Sequence, residues 1–382
     1  MSDLERLAGS DSRLGMGWVP LVAAVVLGIA LVATWPRGDA LPDTGGLGLA
    51  DELHQAEVTK VVDGPCSFDD TDVCRTVVFF LEEGPRAGRD FVQEFTATAS
   101  TPDLRVGDAV VLAWVEDAQP DFEYQYSDRE RRGVLIGVFL AFAVAVGALG
   151  RLRGLASLAG LMLSAVVVVA YIVPAIATGS SAVLISIVGS GTVALLALYL
   201  AHGFRPLTHV AFVGTILALG VTFGLAALVL ELARFSGFSS EESLYLAVAG
   251  NVDIRGLLLA GVVLGALGAL DDVTVTQASA VWELRKAQPD MSVVELAQAG
   301  LRIGRDHIAS TVNTLLLAYA GASMPLLLLF SLSGLRLADV ANSEVVAVEI
   351  VRTLVGSIGL VLAVPLTTYL AAAIATRSEA GK

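Results

Sequence analysis

The sequence predicts an all-α polytopic membrane protein with a small β-rich domain inserted after its first helix. Hydrophobic residues make up 55% of the 382 residues and charged residues only 16%, whereas an average soluble protein is about one-quarter charged. Eight apolar runs are candidates for membrane helices. The acidic residues are concentrated in one block, because residues 39–128 hold 20 acidic and five basic side chains. The formal net charge of −14 argues against nucleic acid as a partner, since phosphate binding requires the opposite sign.

The apolar runs approach the length that a bilayer requires, about 20 residues for a hydrocarbon core about 30 Å thick. They are residues 18–34, 133–149, 155–174, 182–200, 210–230, 257–270, 308–332 and 345–375. The sixth is the shortest, and we count it because its neighbours must themselves cross the bilayer. The first is followed by Trp35, Pro36 and Arg37 rather than by an Ala-x-Ala cleavage site, which favours an uncleaved anchor over a signal peptide.

Lys and Arg residues in short loops set the orientation of the spans. With the N-terminus inside, eleven bases fall in cytoplasmic segments: Arg6, Arg13, Arg151, Arg153, Arg205, Arg285, Lys286, Arg302, Arg305, Arg377 and Lys382. Arg129, Arg131 and Arg132 oppose this orientation, but they follow a large translocated domain, where the rule weakens. We therefore predict a cytoplasmic N-terminus with its anchor (1–36), an extracytoplasmic domain (37–130), a seven-helix membrane domain (131–376) and a cytoplasmic tail (377–382).

The acidic block predicts a small β-barrel, OB-like, or a sandwich. Strand-like runs at residues 56–62, 75–82, 90–98 and 108–116 are separated by Gly, Pro and Asp. Cys66 and Cys74 are the two cysteines of the chain, and an oxidising compartment favours a disulfide between them. We predict no metal site here, because His54 is the nearest imidazole and the Asp spacing does not match a calcium loop.

The sixth span carries the clearest candidate site. At 100° per residue, seven of its residues fall within about 40° of one line: Gly261, Gly265, Gly268, Asp272, Thr276, Ser279 and Glu283. An ionisable group in a span is costly and therefore a functional candidate, so we predict that this stripe faces protein or a wet cavity around Asp272. Asp271 points about 100° away. The alternative is a helix end at which both carboxylates reach cytoplasmic water.

The seventh and eighth spans supply further polar groups. Asn313 lies on one face of the seventh span with Asp306 and Ser310, and it is either a hydrogen-bond partner of the carboxylate or an interhelical strut. His307 is either a proton carrier or a solvated side chain. Glu349 and Arg352 are three residues apart and can neutralise each other. That pair is either structural or an outer gate.

A capping box is predicted between the sixth and seventh spans. Ser292 and Glu295 have the required spacing, and they precede a short apolar pattern. We predict a short interfacial helix in this segment, with a docking surface for a partner as the alternative.

Three segments of the chain resemble the YibE/F-like family of bacterial integral membrane proteins. They are residues 264–272 (LGALGALDD) with Ser279 and Glu283, residues 304–306 (GRD) with 313–319 (NTLLLAY), and residues 349–352 (EIVR) with 356–359 (GSIG) and Pro365. The likeness extends over residues 53–376. It implies an anchor, an extracytoplasmic β-rich region, a bundle of spans in the bacterial cell membrane and a transport-related role. One Asp is usual in the family where Asp272 stands.

No enzyme motif emerges from the sequence, which contains no Gly-x-Ser-x-Gly elbow, phosphate-binding loop or His-Glu-x-x-His. We therefore predict no catalytic residues and no cofactor. The leading hypothesis is an ion- or proton-coupled permease for a small ion or solute. In it Asp272 binds the cation or proton, Thr276, Ser279 and Asn313 supply neutral ligands, and Glu283 lines the cytoplasmic exit. Asp271 is a further candidate that need not share the role of Asp272.

Two other functions are kept open. The first is a non-transporting scaffold or sensor whose outer domain binds a ligand. The second is an intramembrane hydrolase using Asp271 and Asp272, which is disfavoured because adjacent helical residues diverge by about 100°. The expected partners are the lipid bilayer and a small ion or solute, with a homo- or hetero-oligomer of related membrane proteins also possible.

Overall fold

The computed structural model describes residues 16–36, 50, 52–67, 72–115, 118–119, 122–249 and 252–377. The chain divides into two compact units. One contains Thr44–Ala145, and the other contains Met1–Asp43 together with Val146–Lys382. Residues 378–382 of the predicted cytoplasmic tail lie outside the described residues, as do Asp69 and Asp70, two of the aspartates whose spacing does not match a calcium loop.

The smaller unit contains a curled antiparallel sheet of five strands. The strands are β1 (Glu52–Pro65), β2 (Val73–Leu81), β3 (Asp90–Thr96), β4 (Ala109–Trp114) and β5 (Tyr124–Arg129), in the order β3-β2-β1-β4-β5. The edge strands β3 and β5 approach each other, since the backbone N–H of Tyr126 donates to Oε1 of Gln93 at 2.7 Å. Register shifts at Val58 and Val111 mark irregularities in β1 and β4, and such bulges bend strands.

The core of the sheet follows the alternation of its strands. In β2, Val77, Phe79 and Leu81 are buried while Phe80 is exposed, because successive strand residues point to opposite faces. Val58 and Leu112 complete the same apolar layer. The four predicted strands are confirmed. The fifth, β5, was missed because its sequence, Tyr-Gln-Tyr-Ser-Asp-Arg, is mostly polar.

The predicted disulfide is present between Cys66 and Cys74. Cys74 lies on β2 opposite Gly64 of β1, and Pro65 pairs with Val73. The bond therefore closes the loop of this hairpin. Next to it, Nε of Arg75 donates to Oδ1 of Asp63 at 2.8 Å, and this hydrogen bond holds the pKa of the Asp63 carboxyl below its usual range.

The helices are α1 (Val19–Thr34), α2 (Arg132–Val167), α3 (Val173–Ala177), α4 (Ala182–His202), α5 (Pro206–Leu232), α6 (Glu241–Ala249), α7 (Ile254–Ala287), α8 (Val293–Ala322), α9 (Met324–Leu332), α10 (Leu337–Asn342) and α11 (Glu344–Arg377). A π-helical turn, Val168–Ile172, joins α2 to α3. The N-terminal α1 packs in the larger unit, where the hydroxyl groups of Thr34 and Tyr171 are 2.6 Å apart.

Five helical segments within the described residues are long and apolar enough to cross a membrane, or six if the bent pair α8–α9 is one span. The predicted runs 133–149 and 155–174 both fall in one segment, Arg132–Ala177. α1 is shorter, at 16 residues. The predicted span 308–332 is broken at Ser323, where α8 and α9 meet with a bend of 62°. Pro325 in the first turn of α9 has no N–H to continue the ladder of α8.

The segment Arg132–Ala177 contains a reversal at Arg151, whose φ of 51° is not helical. A Cβ atom on Gly154 would lie 2.5 Å from the carbonyl oxygen of Val146. Residues eight apart in a straight helix are separated by about 12 Å along its axis. The chain therefore turns back on itself at Arg151, and the glycine permits the close approach.

The centre of the larger unit is formed by α5, α7, α8 and α11. Glycines allow these helices to pack closely: Gly214 of α5 meets Thr367 of α11, and Gly359 of α11 meets Thr222 of α5. The two contacts are reciprocal and antiparallel. On α8, a Cβ atom on Gly304 would lie 2.5 Å from Cγ1 of Val364. Small residues of this kind are typical of interfaces between membrane helices.

The predicted capping box opens α8. The Ser292 and Glu295 side chains each accept a hydrogen bond from the other residue's backbone N–H. The prediction of a short interfacial helix is wrong, however, because α8 continues as one helix of 30 residues to Ala322. Gly304 does not end the helix, since it lies inside the contact with α11.

Candidate functional site

A carboxylate and two hydroxyl groups meet between α5 and α7. Asp271 is half-buried, and the Thr215 hydroxyl lies 3.4 Å from its Oδ1 atom. The hydroxyl groups of Thr215 and Thr274 are 2.7 Å apart, and both threonines are fully buried. This arrangement places the Asp271 carboxylate at one end of a chain of two hydroxyl groups inside the helical unit.

The polar line continues along the same face of α7 through Gln277. The Gln277 amide nitrogen donates to the Gly300 carbonyl oxygen at 2.8 Å and to the Thr368 hydroxyl at 2.7 Å. Gln277 is almost fully buried, and these bonds satisfy its amide nitrogen as burial requires. Polar groups of α5, α7, α8 and α11 therefore meet in the interior of the bundle.

Asp272 does not occupy the enclosed cavity that the sequence predicted. Its side chain is 70% exposed, and the imidazole of His307 of α8 lies beside it, with Nε2 3.9 Å from Oδ2. The buried side chains Leu270, Val273 and Thr274 define the packing face of α7. At 100° per residue Asp272 falls on the opposite side, whereas Asp271 lies at the edge of the interior.

The predicted stripe on α7 likewise faces outward over most of its length. Thr276 is exposed and Ser279 is half-buried, and no atom lies within 4 Å of a Cβ built on Gly268. Glu283 is exposed and bonds Lys286 at 2.6 Å. A side chain contacts the stripe at Gly265, where a Cβ would lie 2.5 Å from the Tyr319 hydroxyl oxygen.

Asn313 is exposed on α8, on the side opposite Gly304, which packs against α11. The two residues are nine positions apart, which at 100° per residue is two and a half turns and places them on opposite sides of the helix. The exposed side chain of Asn313 has neither of the two predicted positions, beside the carboxylate or between packed helices. Asp306 and Ser310 are also exposed. His307 is half-buried and faces Asp272, which is the closest approach between the predicted polar residues of α7 and α8.

The predicted ion pair on α11 is present. Nη1 of Arg352 donates to Oε1 of Glu349 at 2.7 Å, and both side chains are about three-quarters buried. The other end of the guanidinium approaches α7, with Nη2 3.6 Å from a Cβ built on Gly261. The pair therefore lies between helices rather than on the surface.

Sequence reasoning missed Thr215, Thr274, Gln277 and Thr368. A signal was available, because Asp271, Thr274 and Gln277 repeat every three residues on α7. The glycine stripe directed attention to the other face. Within the described residues, no group of three or more His, Cys, Asp or Glu side chains is placed to hold a metal ion.

Long apolar helices joined to a separate small sheet indicate a polytopic helical membrane protein. A family model described as YibE/F-like protein matches residues 138–377. The match covers more than half of the chain, which therefore belongs to the YibE/F-like family. Comparison with curated proteins and with solved structures gave no significant match.

Proposed function

We propose that this protein is an ion- or proton-coupled permease in which Asp271, rather than Asp272, is the coupling carboxylate. The observation that carries the proposal is the contact of the Asp271 carboxylate with the Thr215 hydroxyl at 3.4 Å, which lies in turn 2.7 Å from the Thr274 hydroxyl. A carboxylate beside neutral hydroxyl groups can exchange a proton or a small cation. Ionisable groups inside membrane helices are rare and commonly mark ion pathways.

Asp272, Thr276, Ser279 and Asn313 have a weaker claim to a ligand role. They lie on exposed or half-exposed faces of α7 and α8, where water or a partner would be needed to surround an ion. We propose that Asp272 and His307 border the cytoplasmic approach to the interior site.

The proposed topology has eight spans, with both termini cytoplasmic and the sheet extracytoplasmic. Two observations support it. The reversal at Arg151 separates the second and third spans, and the Cys66–Cys74 disulfide suits an oxidising compartment. We also propose that the sheet is an OB-like barrel, because its two edge strands approach through Gln93 and Tyr126.

Matched variants at adjacent positions test the permease proposal. The full chain is reconstituted into liposomes loaded with fluorescent reporters of H⁺, Na⁺, K⁺ or Mg²⁺. We expect the wild type to pass at least one ion faster than empty liposomes. Asp271→Asn should reduce that flux about tenfold or more, which corresponds to a rise of about 1.4 kcal/mol or more in the barrier. Asp272→Asn should change the flux less than about threefold. Equal loss in both variants, or wild-type flux equal to that of empty liposomes, contradicts the proposal.

A sensor or scaffold remains the second candidate, because the sheet is a separate unit with its own apolar core. Deletion of residues 53–120 distinguishes the two functions. A permease retains ion flux through its helices after this deletion. A sensor whose ligand binds to the sheet shows no ion flux either before or after the deletion.

A further inference from the structure

We propose that one face of α8 is the interface between two copies of this chain in the membrane, and that the two Asn313 amides hydrogen-bond to each other there. The face, called the α8 seam below, consists of Asp306, Ser310, Asn313 and Leu317, all of which are exposed. The α8 seam is separate from the Asp271 site, and the inference does not depend on ion transport.

The α8 seam extends into the apolar part of the helix. The run 308–332, which begins directly after His307, contains no Asp, Glu, Lys or Arg. Asn313 lies eight residues beyond Arg305, which is about 12 Å along the helix axis. A hydrocarbon core is about 30 Å thick, so an Arg305 side chain at its surface places Asn313 inside it. Lipid at that depth offers an amide no hydrogen-bond partner.

The Asn313 amide has no hydrogen-bond partner within the part of the chain that the structure describes. Its polar neighbours differ in this respect, because their hydroxyl groups are satisfied inside the helix. Thr311 donates to the His307 carbonyl oxygen and Thr314 to that of Ser310, both at 3.0 Å. Asparagine side chains in membrane helices commonly bond across to another helix. The Asn313 amide therefore requires a partner from outside α8.

The spacing of the α8 seam fits a pair of parallel helices. Its residues follow one another at intervals of four, three and four, which is the spacing of contact positions in a coiled coil. Most bundles of membrane helices cross with a similar geometry. Gly321 lies four residues beyond Leu317, and a Cβ built on it has no atom within 4 Å. A second helix can therefore approach closely at this end of the seam.

A second copy supplies what the Asn313 amide lacks. An amide has both donors and an acceptor, so two Asn313 side chains at the same depth can bond to each other. Two copies in one orientation meet around a twofold axis, where each presents the same patch. The two Asp306 carboxylates also approach each other, but Arg302 and Arg305 lie within about one turn on each copy and offset their charge.

Two other occupants would leave the amide unpaired. A lipid acyl chain has no hydrogen-bonding group. Residues 133–149 of the same chain are an apolar run in which no residue is buried, but none of their side chains donates or accepts a hydrogen bond. A different membrane protein with a polar residue at this depth is the third competitor, which cross-linking in membranes distinguishes by mass.

Cross-linking at two adjacent leucines tests which face of α8 meets the second copy. Leu317→Cys lies on the seam. Leu316→Cys is the matched control, because Leu316 is also exposed but points about 100° away. The native Cys66 and Cys74 are joined to each other. After mild oxidation of the full chain in isolated cell membranes, Leu317→Cys should yield about ten times more covalent dimer than Leu316→Cys, because the two positions differ by about 100°.

Substitution of the amide tests its role in the interface. The dimer fraction is measured by counting photobleaching steps of N-terminally labelled chains in liposomes, over a series of protein-to-lipid ratios. Asn313→Val should raise the ratio at which half of the chains are dimeric by about fivefold or more, because hydrogen bonds between the helices are lost. Asn313→Gln should restore most of the dimer. Thr314→Val is the control, because that hydroxyl is satisfied within α8, and it should leave the ratio nearly unchanged.

Four results would overturn the proposal. Equal cross-linking at Leu316 and Leu317 would place the contact on another face. Chains that stay single at every protein-to-lipid ratio would exclude a dimer, and an unchanged ratio in Asn313→Val would show that the amide does not hold the interface. A product of Leu317→Cys with a protein of different mass would assign the seam to that protein. Since position 313 is exposed, the variants should retain the helical circular dichroism of the wild type.

Discussion

The interior of the sheet and the interior of the helical bundle are packed in different ways. In the sheet, large apolar side chains such as Phe79 and Leu112 fill a core, and a disulfide closes one hairpin. In the bundle, glycines on α5 and α11 bring the backbones of the helices together, and threonine side chains occupy the space opposite.

This difference reflects the solvent that each fold requires. In water, removing apolar surface from solvent contributes about 25 cal/mol per Å², so large side chains stabilise the sheet. Lipid is as apolar as leucine, and helices in a bilayer therefore associate through close packing and hydrogen bonds. The bundle also holds polar groups inside, among them Gln277, whose amide nitrogen donates two hydrogen bonds.

The largest expected effect is confined to the sheet. Replacement of both Cys66 and Cys74 by serine should destabilise the sheet by about 2–3 kcal/mol, because the disulfide closes a loop of this length in the unfolded chain. Unfolding can be followed by the fluorescence of Trp114 of β4, with the other three tryptophans replaced by phenylalanine.

Reductant provides the control for this prediction. Reduced wild type should match the double serine variant in the unfolding of the sheet. The helices should unfold at the same temperature with and without reductant, because both cysteines of the chain belong to this disulfide. A shift in the unfolding temperature of the helices would show that the two units are coupled. It would contradict the view that each unit is stabilised by its own interactions.

A glycine substitution of smaller effect tests the bundle. Gly359→Ala places a methyl group against the Thr222 side chain, and overpacking of this kind costs about 1–3 kcal/mol. Gly268→Ala is the control, because no atom lies within 4 Å of its added methyl group. It should leave stability unchanged or raise it by up to about 1 kcal/mol, since alanine favours helix.

Gly359→Ala should therefore lower the temperature of thermal unfolding, measured by helical circular dichroism in detergent, whereas Gly268→Ala should leave it unchanged or raise it. Equal shifts would mean that the close contact between α5 and α11 does not limit the stability of the bundle.

The smallest expected effect concerns the ion pair on the sheet surface. The Arg75 side chain lowers the pKa of Asp63, so this pair stabilises the folded state above the ordinary pKa of aspartate, near about 4. That contribution is lost as the pH falls through the lowered folded-state pKa. Asp63→Asn should reduce stability slightly at pH 7 and not at about pH 2.

Denaturant titration of the sheet at both pH values measures this effect. Arg75→Gln and the Asp63→Asn, Arg75→Gln double variant complete a cycle that isolates the pair. An effect of Asp63→Asn that persists unchanged at the lower pH would mean that the side chain acts through shape rather than charge.

Much of the fold follows from sequence patterns that report local structure. Alternation predicted four strands, and the lengths of apolar runs predicted the helical segments. The pattern failed at β5, where polar residues interrupt the alternation. It also failed at Ser323, because the break in the seventh run depends on Pro325 and on packing rather than on hydropathy.

The candidate site was only partly predictable, for a physical reason. A helical wheel identifies which residues share a face, but it does not identify which face the neighbouring helices cover. Glycines on α7 suggested contact on the side of Gly268, whereas Leu270 and Val273 pack on the other side. Asp271 is consequently the half-buried residue and Asp272 the exposed one, the reverse of the expectation. The pair Glu349–Arg352 was predicted correctly, because it depends only on local spacing.

Because the two cysteines of the polypeptide form the disulfide of the β1–β2 hairpin, the helices contain no native thiol that a probe could label. A single cysteine placed at Asp271 or Asp272 would then be the sole target for a thiol-specific probe. The two faces of α7 can thus be compared by labelling rate in intact cells, without first removing any native residue.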